Sequence, residues 1–182
     1  MTETRSVLVL GGARSGKSAY AERLAEAAEA AERIYVATAE PGDEEMAARI
    51  ARHRAERGGG WTTVEAPLAL AEALEAEARP GRVTLVDCLT LWLSNLMLGG
   101  RDVEAEIRRL VAAIAALKGP AILVANEVGM GIVPNTKLGR EFRDAQGRLN
   151  RDVAAACEAV VLLAAGLPTL MKPANPPDLR LR

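Results

Sequence analysis

The 182-residue sequence has few aromatic residues, and its positive and negative charges nearly cancel. Aromatic side chains make up only 3% of the chain, too few for the stacking platforms that bind single-stranded nucleic acid. A formal net charge of -1 provides no overall basic field to attract nucleic acid or an acidic membrane. We therefore expect no nucleic-acid partner.

Cysteines and long apolar runs are also scarce. Cys88 and Cys157 are the only two cysteines and form no Cys-x-x-Cys pattern, which excludes a disulfide scaffold and a zinc module. Two scattered thiols favour a reducing compartment, so a cytoplasmic location is expected. The N-terminus lacks the pattern of a signal peptide, and no apolar run approaches the roughly 18 residues of a membrane span. We expect one domain over residues 1–182, because 49% hydrophobic residues suffice for one core.

Short apolar runs alternate with amphipathic stretches along the chain. Strands are predicted over 7–10, 34–38, 83–87, 121–125 and 159–164. Helices are predicted over 17–31, 43–57, 67–78, 102–117 and 138–156, and the ambiguous stretch 89–98 is also predicted as a helix. Continuous apolar strands separated by helices predict an α/β fold, with a mostly parallel sheet covered on both faces. Four prolines after position 167 predict an irregular tail over 168–182.

One segment fits the P-loop pattern G-x-x-x-x-G-K-[S/T] completely. It consists of Gly11, Gly12, Ala13, Arg14, Ser15, Gly16, Lys17 and Ser18. Glycines let backbone N–H groups surround phosphate oxygens, and the following helix N-terminus adds positive potential. Lys17 is predicted to reach the β and γ phosphates of GTP or ATP, and Ser18 to bind Mg²⁺. A chance glycine-rich turn is disfavoured, because a strand precedes the motif and a helix follows it.

Two acidic residues follow apolar strands. Asp87 has the placement of the second Mg²⁺ ligand of a P-loop enzyme, although a plain polar strand end is the alternative. Glu127 ends the next strand in a similar way. It could orient water or substrate, or it could cap a loop, and the sequence leaves both interpretations open.

His53 is the only histidine. It shares one helical face with Met46 and Ile50, which indicates a partly buried side chain on the core-facing stripe. Arginines at positions 49, 52, 54 and 57 instead suit triphosphate oxygens and favour the neutral, nucleophilic imidazole. These arginines could also form a solvated face, so the pattern alone decides neither role.

Several segments together resemble one family. They are the P-loop, YVATA at 35–39, DEEMAARI at 43–50 with HR at 53–54, WTTVE at 61–65, NEVGMGIVP at 126–134, FRD at 142–144 and GRLN at 147–150. Over about residues 6–167 the chain resembles the bifunctional adenosylcobinamide kinase / adenosylcobinamide-phosphate guanylyltransferase family of cobalamin biosynthesis. The run at 126–134 and the histidine segment are far more specific than the P-loop.

The resemblance implies two reactions. Adenosylcobinamide is phosphorylated by ATP or GTP, and GMP is then transferred from GTP onto that phosphate, with release of pyrophosphate. It also implies that His53 carries GMP covalently. Lys17 is expected to be catalytic as well, because its charge would stabilise the departing phosphates. Besides the P-loop, the matching nucleotide contacts are Ala37, Thr38, Ala39, Arg54, Ala55, Glu56, Arg57, Glu65 and Asp87. The family resemblance further implies a RecA-like fold with one antiparallel edge strand and a homotrimer, whereas the proline-rich tail departs from the family pattern.

Other interpretations explain less of the sequence. An ordinary small-molecule kinase would leave His53 and the 126–134 run unused. A GTP-binding switch would need an Asn-Lys-x-Asp motif to recognise guanine, and the sequence has none. For the corrinoid we expect the loop over 128–137 and the 89–98 segment. In that segment Leu91, Trp92 and Met97 could instead belong to the core or to a subunit interface, and the interface is the favoured of those two.

Overall fold

The structure is a computed structural model that describes residues 4–40, 42, 44, 48, 51, 55, 57 and 59–173. Its strands are β1 (Ser6–Gly11), β2 (Glu32–Ala37), β3 (Trp61–Glu65), β4 (Arg82–Asp87), β5 (Ala121–Asn126), β6 (Ala159–Ala164) and β7 (Leu167–Lys172). They form one sheet in the order β3-β2-β4-β5-β1-β6-β7. Neighbouring strands are parallel except β6 and β7, which are antiparallel. The predicted fold class and the antiparallel edge strand are both confirmed.

Five helices are placed within the described ranges: α1 (Lys17–Glu26), α2 (Leu70–Glu77), α3 (Leu89–Leu98), α4 (Val103–Ala115) and α5 (Lys137–Ala156). Buried side chains of α2 to α5 pack together on one face of the sheet. Ala21 and Ala25 of α1 pack on the other face. Alternating residues of β1 serve both faces, since Leu8 belongs to the first cluster and Val7 and Val9 to the second. None of the described helices is long and apolar enough to cross a membrane.

The helix predicted over 102–117 spans Val103–Ala115, and two other predicted helices are shortened more strongly. The first ends at Glu26, and by Ala31 the chain already leads into β2, since the Ala31 and Glu32 amides both donate to the Gly81 carbonyl. The helix expected from 67 starts only at Leu70. The Pro67 carbonyl accepts a hydrogen bond from Asn95, and the Leu68 carbonyl accepts one from the Trp92 indole. In both cases the backbone groups have tertiary partners that the helical pattern does not reveal.

The predicted irregular tail is wrong over its first part, because Leu167–Lys172 forms β7. Ala165 and Gly166 have φ values of 50° and 80°, as in the two-residue turns that join antiparallel strands. Pro168 is tolerated since β7 is an edge strand, where one missing N–H can face outward. At the far end Lys172 Nζ donates to the Ala154, Ala155 and Cys157 carbonyls at the end of α5. Residues 174–182 lie outside the described residues.

Candidate active site

The P-loop connects β1 to α1 at the carboxyl end of the parallel strands. Gly16 precedes the helix with φ of 89°, and Arg14 has φ of 56°. These left-handed residues turn the chain tightly, which explains why a glycine occupies the position before Lys17. Among the residues that the structure describes, no side chain caps the N-terminus of α1. Its first amide groups thus remain available to an anion, as a phosphate site requires.

The loop packs closely against β6 and its turn. A Cβ on Gly11 would lie 2.8 Å from the Leu163 carbonyl oxygen and would also collide with Ser15 Oγ. The Gly166 amide donates to the Ser15 carbonyl at 3.0 Å, which joins the loop to the β6–β7 turn. Ser15 Oγ is buried and has no partner among the described residues. Gly11 is therefore required for space as well as for backbone approach to phosphate.

Lys17 lies across the loop that contains it. Its Nζ donates to the Gly12 carbonyl at 3.3 Å, and the side chain is only partly buried. Nearby, burial raises the pKa of the Cys88 thiol to about 11, and the Asp87 carboxylate adds to this rise while the Lys17 charge opposes it. The ammonium group is thus held against the backbone of its own loop.

Asp87 ends β4, and β5 separates that strand from β1. This arrangement places the Asp87 carboxylate at the same carboxyl end of the strands as the P-loop, with one strand between β4 and β1. Ser18 and Asp87 offer hard oxygen ligands of the kind Mg²⁺ prefers. No group of three or more potential metal-binding His, Cys, Asp or Glu side chains occurs among the described residues. The donor set suits a metal held by one or two protein oxygens together with phosphates.

Asp87 belongs to a group of four side chains, which we call the Tyr35 group: Tyr35, Arg57, Trp61 and Asp87. The Tyr35 hydroxyl donates to Asp87 Oδ2 at 3.2 Å. The Arg57 guanidinium carbon lies 3.4 Å from the centre of the Tyr35 ring. Trp61 meets that ring edge-on, with centroids 6.2 Å apart. Burial, reinforced by the Asp87 carboxylate, raises the pKa of Tyr35 far above its usual value, so the phenol stays a donor.

Thr38 follows β2 and is fully buried. Its hydroxyl accepts a hydrogen bond from the Cys88 amide at 2.9 Å and donates to the Cys88 carbonyl at 2.8 Å. Asn95 donates to the Thr38 carbonyl at 2.8 Å. The Thr38 side chain thus fixes the backbone immediately after Asp87. The predicted nucleotide contacts at Ala37, Thr38 and Ala39 stay a prediction.

Glu127 has a local partner. Its Oε1 accepts a hydrogen bond from the Gly129 amide at 2.7 Å, and its own amide donates to the Gly11 carbonyl at 3.1 Å. The loop-capping interpretation is therefore observed, and the glutamate also connects the loop over 127–136 to the start of the P-loop. A role in orienting water or substrate stays a prediction.

Part of the predicted site lies outside the described residues, namely His53, Arg54 and Glu56, as do the neighbouring Arg49 and Arg52. Ala55 and Glu65 are exposed, and Glu65 ends β3 opposite Ala37. Arg57 is buried, with its guanidinium on the Tyr35 ring. The sequence prediction missed this stacking, because no local pattern connects β2 to a residue in another segment.

The segment expected to contribute to the corrinoid site is the confirmed helix α3. Trp92 is completely buried, and its indole nitrogen donates to the Leu68 carbonyl at 2.9 Å. The favoured interface role is therefore wrong for Trp92, which is a core residue. Leu91 and Met97 are only partly buried. In the loop over 127–136, Met130, Ile132 and Val133 are strongly exposed apolar side chains.

Comparisons with known proteins agree with this geometry. The family model described as cobinamide kinase / cobinamide phosphate guanyltransferase matches residues 7–171. Two similar proteins carry the name bifunctional adenosylcobalamin biosynthesis protein. CobP from Pseudomonas aeruginosa is 50% identical over 168 residues, covering 91% of this chain and 96% of the relative. CobU from Escherichia coli is 41% identical over 181 residues, covering 91% and 99% respectively.

Solved structures are similar at the level of the fold. An ATPase from the type III secretion system of pathogenic bacteria has a TM-score of 0.54 at 12% identity over 88% of this chain, which spans about half of that protein (51%). A protein from Pyrococcus horikoshii has a TM-score of 0.54 at 10% identity, covering 94% and 88% of the two chains. The match over 7–171 and the identities of 41–50% show that the chain belongs to the cobinamide kinase / cobinamide phosphate guanyltransferase family.

Proposed function

We propose that this protein catalyses two consecutive reactions: phosphorylation of adenosylcobinamide by ATP or GTP, and transfer of GMP from GTP to adenosylcobinamide phosphate. The observation that carries the proposal is a complete P-loop, with an uncapped helix N-terminus and Lys17 across it, in a chain that matches this family over 7–171. The loop geometry supports triphosphate binding, and family membership supports the identity of the acceptor.

In the kinase reaction, a hydroxyl oxygen of the acceptor attacks the γ-phosphorus of the bound triphosphate. The bond between that phosphorus and the β–γ bridging oxygen breaks, the diphosphate leaves and the hydroxyl proton is released. The amides of the P-loop and the Lys17 ammonium stabilise the charge that accumulates on the β-phosphate oxygens. This reaction requires only positioning and charge stabilisation, so no covalent enzyme intermediate is needed.

In the second reaction, an imidazole nitrogen of His53 attacks the α-phosphorus of GTP, and the α–β bridging bond breaks to release pyrophosphate. A phosphate oxygen of adenosylcobinamide phosphate then attacks the same phosphorus, and His53 leaves. Two successive displacements retain the configuration at phosphorus. Support for His53 comes from the family resemblance and from its being the only histidine in the chain.

We further propose that Ser18 and Asp87 bind Mg²⁺ together with the phosphates. When bound, Mg²⁺ would neutralise charge on the phosphate oxygens during either transfer. The proposal includes a homotrimer in the cytoplasm. The exposed apolar side chains Met130, Ile132 and Val133 support self-association, and the two unpaired, buried cysteines support a reducing compartment. Light scattering of the purified protein tests the trimer.

The two reactions can be separated with differently labelled GTP. Wild-type protein incubated with adenosylcobinamide should transfer label from γ-labelled GTP, and label from α-labelled GTP should reach the product through an acid-labile protein adduct. His53→Ala should keep γ-label transfer and lose both the adduct and α-label transfer. Lys17→Met should lose both transfers. Undiminished α-label transfer by His53→Ala would contradict the covalent route, and absence of all transfer by the wild type would contradict the function itself.

A further inference from the structure

The Tyr35 group contains Asp87, one of the proposed Mg²⁺ ligands. Its other members, Tyr35, Arg57 and Trp61, have no role in the chemistry proposed above. The Tyr35 hydroxyl donates to Asp87 Oδ2 at 3.2 Å, which leaves Oδ1 as the other oxygen of that carboxylate. A carboxylate that accepts a fixed hydrogen bond on one oxygen is restricted in rotation about its last side-chain bond. The other oxygen, Oδ1, then keeps one direction, as a metal ligand must.

Tyr35 itself is held on both sides. Its ring is buried in β2, the Arg57 guanidinium covers the ring at 3.4 Å, and Trp61 contacts it edge-on at 6.2 Å. Arg57 Nη1 and Trp61 Nε1 are buried without hydrogen-bond partners among the described residues. These two nitrogens therefore do not anchor their side chains among the described residues, whereas both side chains contact the Tyr35 ring.

We propose that Tyr35 is a positioning residue for Asp87, and that the stacking of Arg57 and Trp61 on its ring holds it in place. The inference rests on the proposed role of Asp87 as a ligand of the Mg²⁺ that accompanies the nucleotide. Its consequence is that the Tyr35 hydroxyl affects metal-dependent nucleotide binding, whereas binding without metal depends on the P-loop and is insensitive to it.

The test measures binding and not catalysis. A fluorescent α,β-imido analogue of GTP, whose α–β link His53 cannot break, is titrated into the full chain without corrinoid or divalent metal, and then at a fixed subsaturating concentration while Mg²⁺ is increased. Tyr35→Phe keeps the ring, and with it the contacts of Arg57 and Trp61, and removes only the hydroxyl. We expect the Mg²⁺ concentration for half-maximal binding to rise about three- to ten-fold, the effect of losing one hydrogen bond. Binding without metal should not change.

Tyr20→Phe is the matched control, because Tyr20 is the only other tyrosine and is partly buried on α1. It should leave the Mg²⁺ dependence unchanged. Asp87→Asn should raise the Mg²⁺ requirement more than Tyr35→Phe does, and adding Tyr35→Phe to it should have no further effect. Thermal unfolding of every variant shows that each one folds.

The outcomes separate this inference from the proposed function. A shift in Asp87→Asn with none in Tyr35→Phe would overturn the role of Tyr35 and leave the metal site intact. An unchanged Mg²⁺ dependence in Asp87→Asn would overturn the metal role of Asp87 and the inference with it. Equal weakening by Tyr35→Phe with and without Mg²⁺ would show a general structural role and would also overturn the inference.

Discussion

The P-loop and the Asp87 carboxylate of the Tyr35 group lie at the carboxyl end of the parallel strands, but the two regions are constructed in opposite ways. The P-loop is eight consecutive residues that offer mainly backbone amides, shaped by left-handed residues such as Gly16. The Tyr35 group takes its side chains from three strands and from the turn containing Arg57, and Tyr35 and Asp87 are 52 positions apart. The geometry of the P-loop is set by the local conformation of its own backbone, whereas that of the Tyr35 group is set by tertiary packing between distant segments. Substitutions should therefore affect the two regions differently.

The largest effect is expected for Lys17→Met. The substitution removes a charge that lies across the loop and stabilises the departing phosphates, so kcat/KM of both reactions should fall about 10²- to 10³-fold. The measurement is the initial rate of each reaction with varied GTP. Lys118→Met, at an exposed lysine between α4 and β5, is the control and should keep wild-type rates. Rates within threefold of wild type for Lys17→Met would mean that the P-loop amides act without the lysine.

A second prediction distinguishes two neighbouring glycines of the P-loop. Gly11→Ala places a methyl group 2.8 Å from the Leu163 carbonyl oxygen and against Ser15 Oγ, and we expect a loss of about 3 kcal/mol in the free energy of unfolding. Gly12→Ala meets no atom within 4 Å and should change that free energy by less than about 0.5 kcal/mol. Urea unfolding of both variants gives the values. If Gly11→Ala lost as little stability as Gly12→Ala, the loop would have to relax around the added methyl group.

The third prediction concerns the backbone next to Asp87. Thr38→Val removes the hydroxyl that bonds both the amide and the carbonyl of Cys88, so the buried amide loses this acceptor, while the carbonyl still accepts a hydrogen bond from the Trp92 amide. We expect a loss of about 2 kcal/mol in unfolding free energy. Thr38→Ser keeps the hydroxyl and should lose less than half as much. Equal stability of Thr38→Val and Thr38→Ser would mean that water reaches the Cys88 backbone and replaces the lost hydrogen bonds.

These differences explain how much the sequence revealed. The P-loop was predictable because its spacing, its preceding strand and its following helix are all local. The short apolar runs likewise predicted five strands, each within two residues of the observed bounds. Neither the stacking of Arg57 on Tyr35 nor the burial of Trp92 was predictable, since each depends on which segments become neighbours. The strand β7 was missed because four prolines indicated irregularity, whereas an edge strand tolerates Pro168.

The smallest expected effect is on the pH dependence of stability. It compares Cys88, beside the Tyr35 group, with Cys157, at the opposite end of the sheet. Burial raises the pKa of Cys88 to about 11 and that of Cys157 to about 12, from an ordinary value of 9.0. Above pH 9 the unfolded chain therefore loses these protons while the folded chain keeps them. Each thiol should reduce the free energy of unfolding by up to about 1.4 kcal/mol per pH unit as the pH rises above 9.

Urea unfolding at pH 8, 9 and 10 measures this loss in the wild type, Cys88→Ala and Cys157→Ala. Below pH 10 the phenol of Tyr35 contributes little, since its ordinary value is 10.0 and burial raises the folded pKa further. Each alanine variant should flatten the fall in stability between pH 9 and 10 by the same amount. A Cys157 effect without a Cys88 effect would mean that water enters beside Asp87 in solution. Water could then also compete for the hydrogen bond between Tyr35 and Asp87. The Tyr35 group would in that case differ from the P-loop in mobility as well as in how it is constructed.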